Sequence, residues 1–353
     1  MGCIGDVELK EIRSRRYGLV ILPLYGPVNR TIVALGFELM PATATRPAGT
    51  APTAQMIVPG VVAMALVGSL VAVSRTLVDA PLFAAQAVRY SVAGVLLYAV
   101  ARSAGVPIVR PRGAEWLWLG GIAAAGLVLF NVAVVRGVAE AEPAAIAVAV
   151  ACVPIVLGIV GPLLEHRAPR SRTLLAALVV TAGSIVVEGA GRTNVIGVVW
   201  ATLVLACEAA FTLLAVPVLP RHGSWGTSVH SVWMGAVMFV ALSVFTEGTA
   251  AVTRLSAADW AATAYLVAVT VLAFVLWYST VATLGAGRAG LLTGVAPISA
   301  AVIGIALGTR APSLLVWLGL VVVTSGLAVG LRPGAGARLP LVAAASAPRP
   351  PRR

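Results

Sequence analysis

The sequence predicts an all-α integral membrane protein whose ten transmembrane helices form two inverted repeats of five helices each. Composition carries the first part of this prediction, because 59% of the 353 residues are hydrophobic and only 11% are charged. A soluble globular chain uses roughly a quarter of its residues as charged ones to cover its surface. The chain is therefore expected to fold in lipid. The helix count follows from its apolar runs and the repeat from one duplicated phrase.

Ten apolar runs approach the length at which a helix crosses the hydrocarbon core, which is about 20 residues. The turns between them carry charges, glycine and proline, so the helices are expected to form one compact bundle. The predicted spans, numbered 1 to 10, cover residues 56–73, 81–100, 116–135, 143–164, 173–190, 195–219, 227–245, 260–284, 289–307 and 313–331.

The basic residues of the connections predict that both chain termini lie in the cytoplasm. Cytoplasmic loops of membrane proteins carry an excess of lysine and arginine. With the N-terminus inside, most of the 25 lysine and arginine residues fall in the inside segments. Arginine strongly outnumbers lysine, and alanine and valine are abundant, which is typical of a bacterium with a GC-rich genome. The expected location is therefore the bacterial inner (plasma) membrane.

The chain divides into four predicted segments. Residues 1–55 are expected to be a disordered N-terminal extension, since prolines and charges interrupt its apolar stretch and its end is rich in Pro, Ala and Thr. Residues 56–190 and 195–331 are expected to be the first and second five-helix repeats. Residues 332–353 are expected to be a disordered basic C-terminal tail.

One phrase of the sequence occurs twice, 143 positions apart. VPIVLGIVGPLLEHRAP, residues 153–169, aligns without a gap with APISAAVIGIALGTRAP, residues 296–312, so that Pro154 matches Pro297. The register continues beyond the phrase, so spans 3–5 match spans 8–10 and the repeating unit is five spans. Because five is odd, the second copy must enter the membrane from the opposite face. The copies are then related by a pseudo-twofold axis in the membrane plane.

Three elements carry a resemblance to a known family: AEPAAIAVAVACVPIVLGIVGPLLEHRAP, its partner LWYSTVATLGAGRAGLLTGVAPISAAVIGIALGTRAP, and the arginine of AVRYSVAGVLL in span 2. They are similar to the drug/metabolite transporter (DMT) superfamily, and within it to the ten-helix EamA type. The resemblance covers residues 56–331 and implies two EamA-like repeats and secondary active transport by alternating access. It further implies proton-coupled efflux of small metabolites, amino acids or drugs, without specifying the solute.

The sequence departs from this family at one position of the second copy. Gly308 stands where many members carry an acidic residue, so Glu165 of the first copy has no counterpart. Glu165 itself lies at the inner end of span 4 beside His166 and Arg167, where a solvated loop cluster is expected.

Two charges lie near the middle of predicted spans, Arg89 in span 2 and Glu208 in span 6. A charge at the bilayer centre costs on the order of 3 kcal/mol, so it needs a partner or a watery cavity. Both side chains are therefore expected to face a central cavity, with Arg89 countering Glu208 or an anionic group of the solute. Burial favours the protonated form of a carboxyl and a nearby arginine the ionised form, so Glu208 is a candidate proton carrier. A fixed structural ion pair is the alternative.

Five further residues are candidates for the transport pathway. Asn131, Trp277 and Tyr278 offer polar groups and flat aromatic walls, although packing or interface positions are the alternative for each. Pro154 and Pro297 each remove one intrahelical hydrogen bond and are expected to kink spans 4 and 9 at matching positions, either as gates or as static bends. The small residues of these two spans fit close packing within the chain or a homodimer seam.

Several function classes find no support in the sequence. Basic residues do not cluster with aromatics as in a nucleic-acid surface, and no cysteine or histidine spacing suggests a metal or cofactor. The spans contain no grouped catalytic side chains, so an enzyme is not expected. The expected partners are a small-molecule solute, the lipid bilayer and protons. A lipid-handling flippase and a membrane protein without transport activity are the alternatives.

Overall fold

The computed structural model describes residues 54–74, 77, 80–141, 143–189, 192–306 and 313–332. These residues form helices, with one isolated β-bridge between Ala141 and Thr193. The predicted disordered segments 1–55 and 332–353 lie outside the described residues, except for positions 54, 55 and 332.

The described residues of the first half of the chain form seven α-helices and one π-helical segment. A π-helix is rare and often marks a functional position; here it covers Ile122–Leu129 and joins α3 to α4. The helices are α1 (Ala54–Ser74), α2 (Leu82–Ser103), α3 (Glu115–Gly121), α4 (Phe130–Glu140), α5 (Pro143–Ala151), α6 (Val153–Leu164) and α7 (Ser171–Glu188).

In the second half, the part that the structure describes forms six α-helices and three segments of other helix types. The helices are α8 (Val195–Leu213), α9 (Leu219–Leu242), α10 (Ala257–Leu284), α11 (Ala286–Ala289), α12 (Val295–Ala306) and α13 (Leu314–Leu331). A π-helical segment, Ser243–Glu247, extends α9, and 3₁₀ segments cover Ala251–Arg254 and Gly290–Gly294.

Among the described residues, seven helical stretches are long and apolar enough to cross a membrane, at the places predicted for spans 2, 3, 4, 6, 7, 8 and 10. The other three predicted spans are also helical, and one of them, span 9, is broken. Apolar helices at Ala54–Ser69 and Ser171–Val187 stand for spans 1 and 5. Span 9 consists of α11, a 3₁₀ segment and α12. The described residues thus confirm the helical, membrane-spanning character that the sequence predicts.

The predicted end of span 6 at residue 219 is wrong, because α8 ends at Leu213. Pro217 lacks an N–H and disfavours helical backbone at the residue before it, so a turn follows. The next helix, α9, already starts at Leu219, and Gly223 interrupts it with a φ of 63°, which glycine adopts readily. The predicted turn before span 7 is therefore a helical turn followed by a glycine kink.

Breaks in the helix precede both prolines of the repeated phrase. Cys152 separates α5 from α6, and Pro154 lies in the first turn of α6. Pro297 lies at the matching place in the first turn of α12, after a 3₁₀ segment. In the first copy, Thr181 Oγ1 donates a hydrogen bond of 2.9 Å to the Ala151 carbonyl. This bond satisfies one of the carbonyls that the break leaves without a helical partner.

The helices α7 and α13 touch at closely approaching backbones. A methyl group on Gly183 would lie 2.7 Å from the Val323 nitrogen, and one on Gly326 would lie 3.0 Å from the Val180 nitrogen. Only glycine permits this approach. Adding 143 to 183 and 180 gives 326 and 323, so each contact is the counterpart of the other under the sequence repeat.

A second pair of contacts shows that α7 and α13 run antiparallel. A methyl group on Gly319, near the start of α13, would lie 2.8 Å from the Val187 side chain at the end of α7. At the other end, one on Gly330 would lie 2.7 Å from Ala176. Adding 143 to 187 and 176 gives 330 and 319, so these two contacts are also counterparts of each other under the sequence repeat. A contact in which each partner uses the same surface is the mark of twofold symmetry.

Large apolar side chains cover much of the outer surface. Phe245 is 86% exposed, Val195 81% and Leu117 78%. Their exposure would be unfavourable in water but suits contact with lipid tails.

Candidate functional site

A cavity of about 60 Å³ lies between α1, α2, α8 and α10. It contains both of the charges that the sequence places in mid-span. Apolar and aromatic side chains form most of the remaining wall, as is typical of small-molecule sites. The lining residues are Met64, Val67, Arg89, Glu208, Phe211, Val269, Thr270, Ala273, Phe274 and Trp277.

Arg89 of α2 is held firmly at the edge of this cavity. Its side chain is only 6% exposed. Nε donates to Thr270 Oγ1 at 2.8 Å and Nη1 donates to Gln86 Oε1 at 3.3 Å. The guanidinium carbon also lies 5.0 Å from the centre of the Tyr90 ring, within the range of a cation–π interaction. The cation is therefore fixed by neutral groups rather than by a carboxylate.

Glu208 of α8 is half-buried and lines the same cavity. In the described part of the chain, its carboxylate forms neither a hydrogen bond nor a salt bridge. The direct Arg89–Glu208 pair, one of the arrangements considered from the sequence, is thus not formed. An acidic group inside an apolar bundle without a partner favours proton binding, or contact with a cation that enters the cavity.

A polar chain leads from Arg89 away from the cavity. Gln86 is 7% exposed and donates from Nε2 to Asn131 Oδ1 at 3.2 Å. Asn131 in turn donates from Nδ2 to the Leu127 carbonyl at 2.6 Å, inside the π-helical segment. Among the residues described, Asn131 therefore supports Gln86 and does not line the cavity.

Gln86 and Thr270 are the site residues that sequence reasoning missed. Thr270 accepts from Arg89 while donating to the Leu266 carbonyl at 2.7 Å. Gln86 lies three residues before Arg89, on the same face of α2, and this spacing is the one signal that could have found it.

Aromatic rings of α8 and α10 close one wall of the cavity. Phe211 contacts Phe274 edge-on with centroids 5.1 Å apart. Trp277 lines the cavity and donates from Nε1 to Thr212 Oγ1 at 3.0 Å. Tyr278 is fully buried behind this wall, where its ring lies 5.3 Å from that of Phe211. The structure thus brings Arg89, Glu208 and Trp277 to one cavity and leaves Tyr278 in the packing behind it.

At one end of the bundle, a carboxylate of the first copy of the repeated phrase binds the start of α11, in the second half of the chain. Glu165, at the end of α6, accepts the N–H of Ala286 at 2.9 Å, where α11 begins. Gly285 precedes it with a φ of 79°, and a methyl group there would lie 2.8 Å from Glu165 Oε1. The expected solvated loop cluster is only partly present, because Arg167 lies 3.8 Å away while the carboxylate is turned towards the protein.

Comparison with known proteins agrees with this architecture. The profile of the EamA-like transporter family matches the chain twice, at residues 55–188 and 195–331. The uncharacterized transporter YetK of Bacillus subtilis (strain 168) is 27% identical over 254 residues, which are 68% of this chain and 76% of YetK. A protein of known crystal structure superposes with a TM-score of 0.67 at 19% identity, covering 78% of this chain and 96% of the other; this likeness concerns the fold alone. The chain is a multi-pass membrane transporter that belongs to the EamA-like transporter family.

Proposed function

We propose that the chain is a proton-coupled secondary transporter that exports a small solute from a bacterial cell through the Arg89–Glu208 cavity. One observation carries the proposal. A carboxylate without a partner among the described residues lines the same small cavity as a fixed guanidinium, within a mostly apolar wall. A structural ion pair would join the two charges directly, whereas here each is available to something that enters.

The volume of the cavity fits a closed state without solute. At about 30 Å³ for each water molecule, 60 Å³ holds about two waters. Sites for drug-sized ligands are several hundred Å³ in volume. A solute therefore enters only when the helices around the cavity separate, as alternating access requires.

The two charges suggest how a proton and a solute would be exchanged. When Glu208 is protonated, the cavity holds the single positive charge of Arg89 and accepts an anionic group. When Glu208 is ionised, the cavity holds both signs and also accepts a cationic group. Solute binding is thus coupled to proton binding through the net charge of the cavity.

We further propose ten crossings in two inverted halves, with both termini in the cytoplasm. The sequence repeat converts each contact between α7 and α13 into its counterpart, and this supports a pseudo-twofold axis that lies in the membrane plane and relates the two halves. Two antiparallel helices can be related only by a twofold axis perpendicular to their long axes. For helices that cross the bilayer, such an axis lies in the membrane plane. The remaining three crossings would be supplied by α1, α7 and the broken α11–α12 stretch.

On the side that this topology makes cytoplasmic, Glu165 and α11 would form the closed gate. The hydrogen bond from Ala286 joins the end of α6 to the start of α11, so the inner ends of spans 4 and 9 are held together. Opening towards the cytoplasm would break this bond, while opening towards the outside would leave it intact.

The test compares extracellular solutes of cells that overproduce three forms at equal membrane levels: the native chain, Glu208→Gln and Glu140→Gln. The last is a matched control, because Glu140 is an exposed carboxylate away from the cavity. We expect one solute to accumulate outside with the native chain and the control, with a rate that depends on external pH, and not with Glu208→Gln. Equal export and equal pH dependence in all three would reject Glu208 as the coupling group. No difference from cells without the chain would overturn export.

A further inference from the structure

Four arginines meet at one corner of the bundle, where α7 begins and α13 ends. Arg170 is the N-cap residue of α7 and Arg172 lies in its first turn. Arg172 Nε donates to the Val329 carbonyl of α13 at 2.9 Å. Arg332 follows three residues later at the C-cap of the same helix. The fourth arginine is Arg288 of α11.

Packing brings α11 to the same corner. Gly330 in the last turn of α13 touches the side chains of Ala176 in α7 and Leu291, which follows α11. Arg288 lies three residues before Leu291. This group of Arg170, Arg172, Arg288 and Arg332 is called the arginine corner below.

Two guanidinium groups of the arginine corner are available to a ligand. Arg170 is exposed and Arg288 half-buried, and neither side chain forms a hydrogen bond or ion pair with the described residues. Burial and the charges of Arg170 and Arg172 lower the pKa of Arg288 below its usual value. Glu165, the carboxylate on this side of α6, already binds the start of α11 and lies 3.8 Å from Arg167. Among the residues described, no acceptor pairs with the five N–H donors of the half-buried Arg288 guanidinium, so these donors can bind an anion.

The surface next to the arginine corner is apolar and open. Leu175 and Leu178 on α7 are 60% and 52% exposed, and Val329 on α13 is 43% exposed. The first turn of α7 contains no acidic residue. A ligand for this surface therefore needs a negative head group and an apolar tail.

We propose that the arginine corner binds the phosphate of an anionic phospholipid, with the acyl chains lying along Leu175 and Leu178. Clusters of basic side chains at the membrane surface attract anionic lipids, by about 1 kcal/mol for each lysine or arginine. Guanidinium groups bind phosphate through paired hydrogen bonds. The proposal is independent of the transported solute, because the corner is separate from the central cavity.

The test uses the full chain, purified in detergent, freed of bound lipid and titrated with phosphatidylglycerol in native mass spectrometry. The test variant is Arg170→Gln/Arg288→Gln. The matched control, Arg102→Gln/Arg112→Gln, removes the same charge from exposed arginines on the same side of the bundle. We expect the test variant to bind phosphatidylglycerol roughly 30-fold more weakly, from about 1 kcal/mol for each lost arginine. The control should bind within about twofold of the native chain.

Two further probes separate a lipid from other anions. Phosphatidylcholine, which has no net charge, should bind at least tenfold more weakly than phosphatidylglycerol, and millimolar inorganic phosphate should not displace the lipid. Equal binding of the two lipids, equal losses in control and test variants, or displacement by phosphate would each overturn the proposal. If the glutamine pair does not fold, Arg170→Lys/Arg288→Lys keeps the charge, and it must then retain the preference for phosphatidylglycerol.

Discussion

Replacing Glu165 by alanine should shift the chain towards a state open to the cytoplasm. The carboxylate accepts the Ala286 N–H at 2.9 Å, and its side chain is 21% exposed. A hydrogen bond to a charged group contributes about 1.5–3 kcal/mol, so we take about 2 kcal/mol for this partly solvated one. Because 1.4 kcal/mol is a factor of ten, the ratio of closed to open inner gate should fall roughly 30-fold.

The assay follows a cysteine placed in the cavity at Ala273, in a chain whose three natural cysteines are replaced by alanine. Its labelling by a membrane-impermeant maleimide is timed in inside-out vesicles. With Glu165→Ala, labelling should become up to about 30-fold faster, while Glu140→Ala, which removes an exposed carboxylate elsewhere, should leave the rate unchanged. A rate that stays constant or falls with Glu165→Ala would refute the gate.

A second substitution tests the same contact from the other side. Gly285→Ala places a methyl group 2.8 Å from Glu165 Oε1 and forces alanine into a φ of 79°. Alone, it should also speed labelling. Combined with Glu165→Ala it should add much less than its single effect, because both changes break one bond. Fully additive effects would show that the two residues act independently.

Three other changes have clear expectations. Gln86→Leu, which removes the acceptor for Arg89, should reduce solute export at least severalfold without changing the amount of protein in the membrane. Gly183→Leu should destabilise the α7–α13 contact by about 1–3 kcal/mol, which lowers the melting temperature in detergent. Gly120→Leu should leave the melting temperature unchanged, because nothing lies within 4 Å of a methyl group at that position. Glu208→Gln should abolish the dependence of transport on external pH, and an unchanged pH profile would remove the proton from the mechanism.

The sequence predicted the structure best where the lipid environment restricts the backbone to helices. Apolar runs that must satisfy their own backbone hydrogen bonds in the membrane become helices, and the described helices follow the predicted runs closely. The same reasoning brought Arg89 and Glu208 to one cavity, since isolated charges in apolar spans need a shared polar space. The two family matches, at 55–188 and 195–331, follow the repeat seen in the sequence.

The sequence was less informative where several polar groups compete for one partner. Nothing distinguished Gln86 and Thr270 from other polar residues in the spans, yet they take the hydrogen bonds that would otherwise favour a direct pair with Glu208. Asn131 was expected at the cavity, but it bonds to Gln86 and to a carbonyl of the π-helical segment. That local widening of the helix shifts the register of the side chains and cannot be read from apolar periodicity.

In the proposed alternating-access cycle, the acidic residue that only the first copy of the repeated phrase contains would favour closure of the inner gate. If the two halves were chemically identical, the states open to either side would have equal energy in a symmetric environment. The first copy ends in Glu165, which binds the start of α11, while the second copy has Gly308 at the matching position and offers no carboxylate. A bond of about 2 kcal/mol in the inner closure shifts the equilibrium between the inner-closed and inner-open states by roughly 30-fold. A solute that opens the inner gate must then supply that free energy through its own contacts with the cavity, because a ligand shifts an equilibrium only by its difference in affinity for the two states.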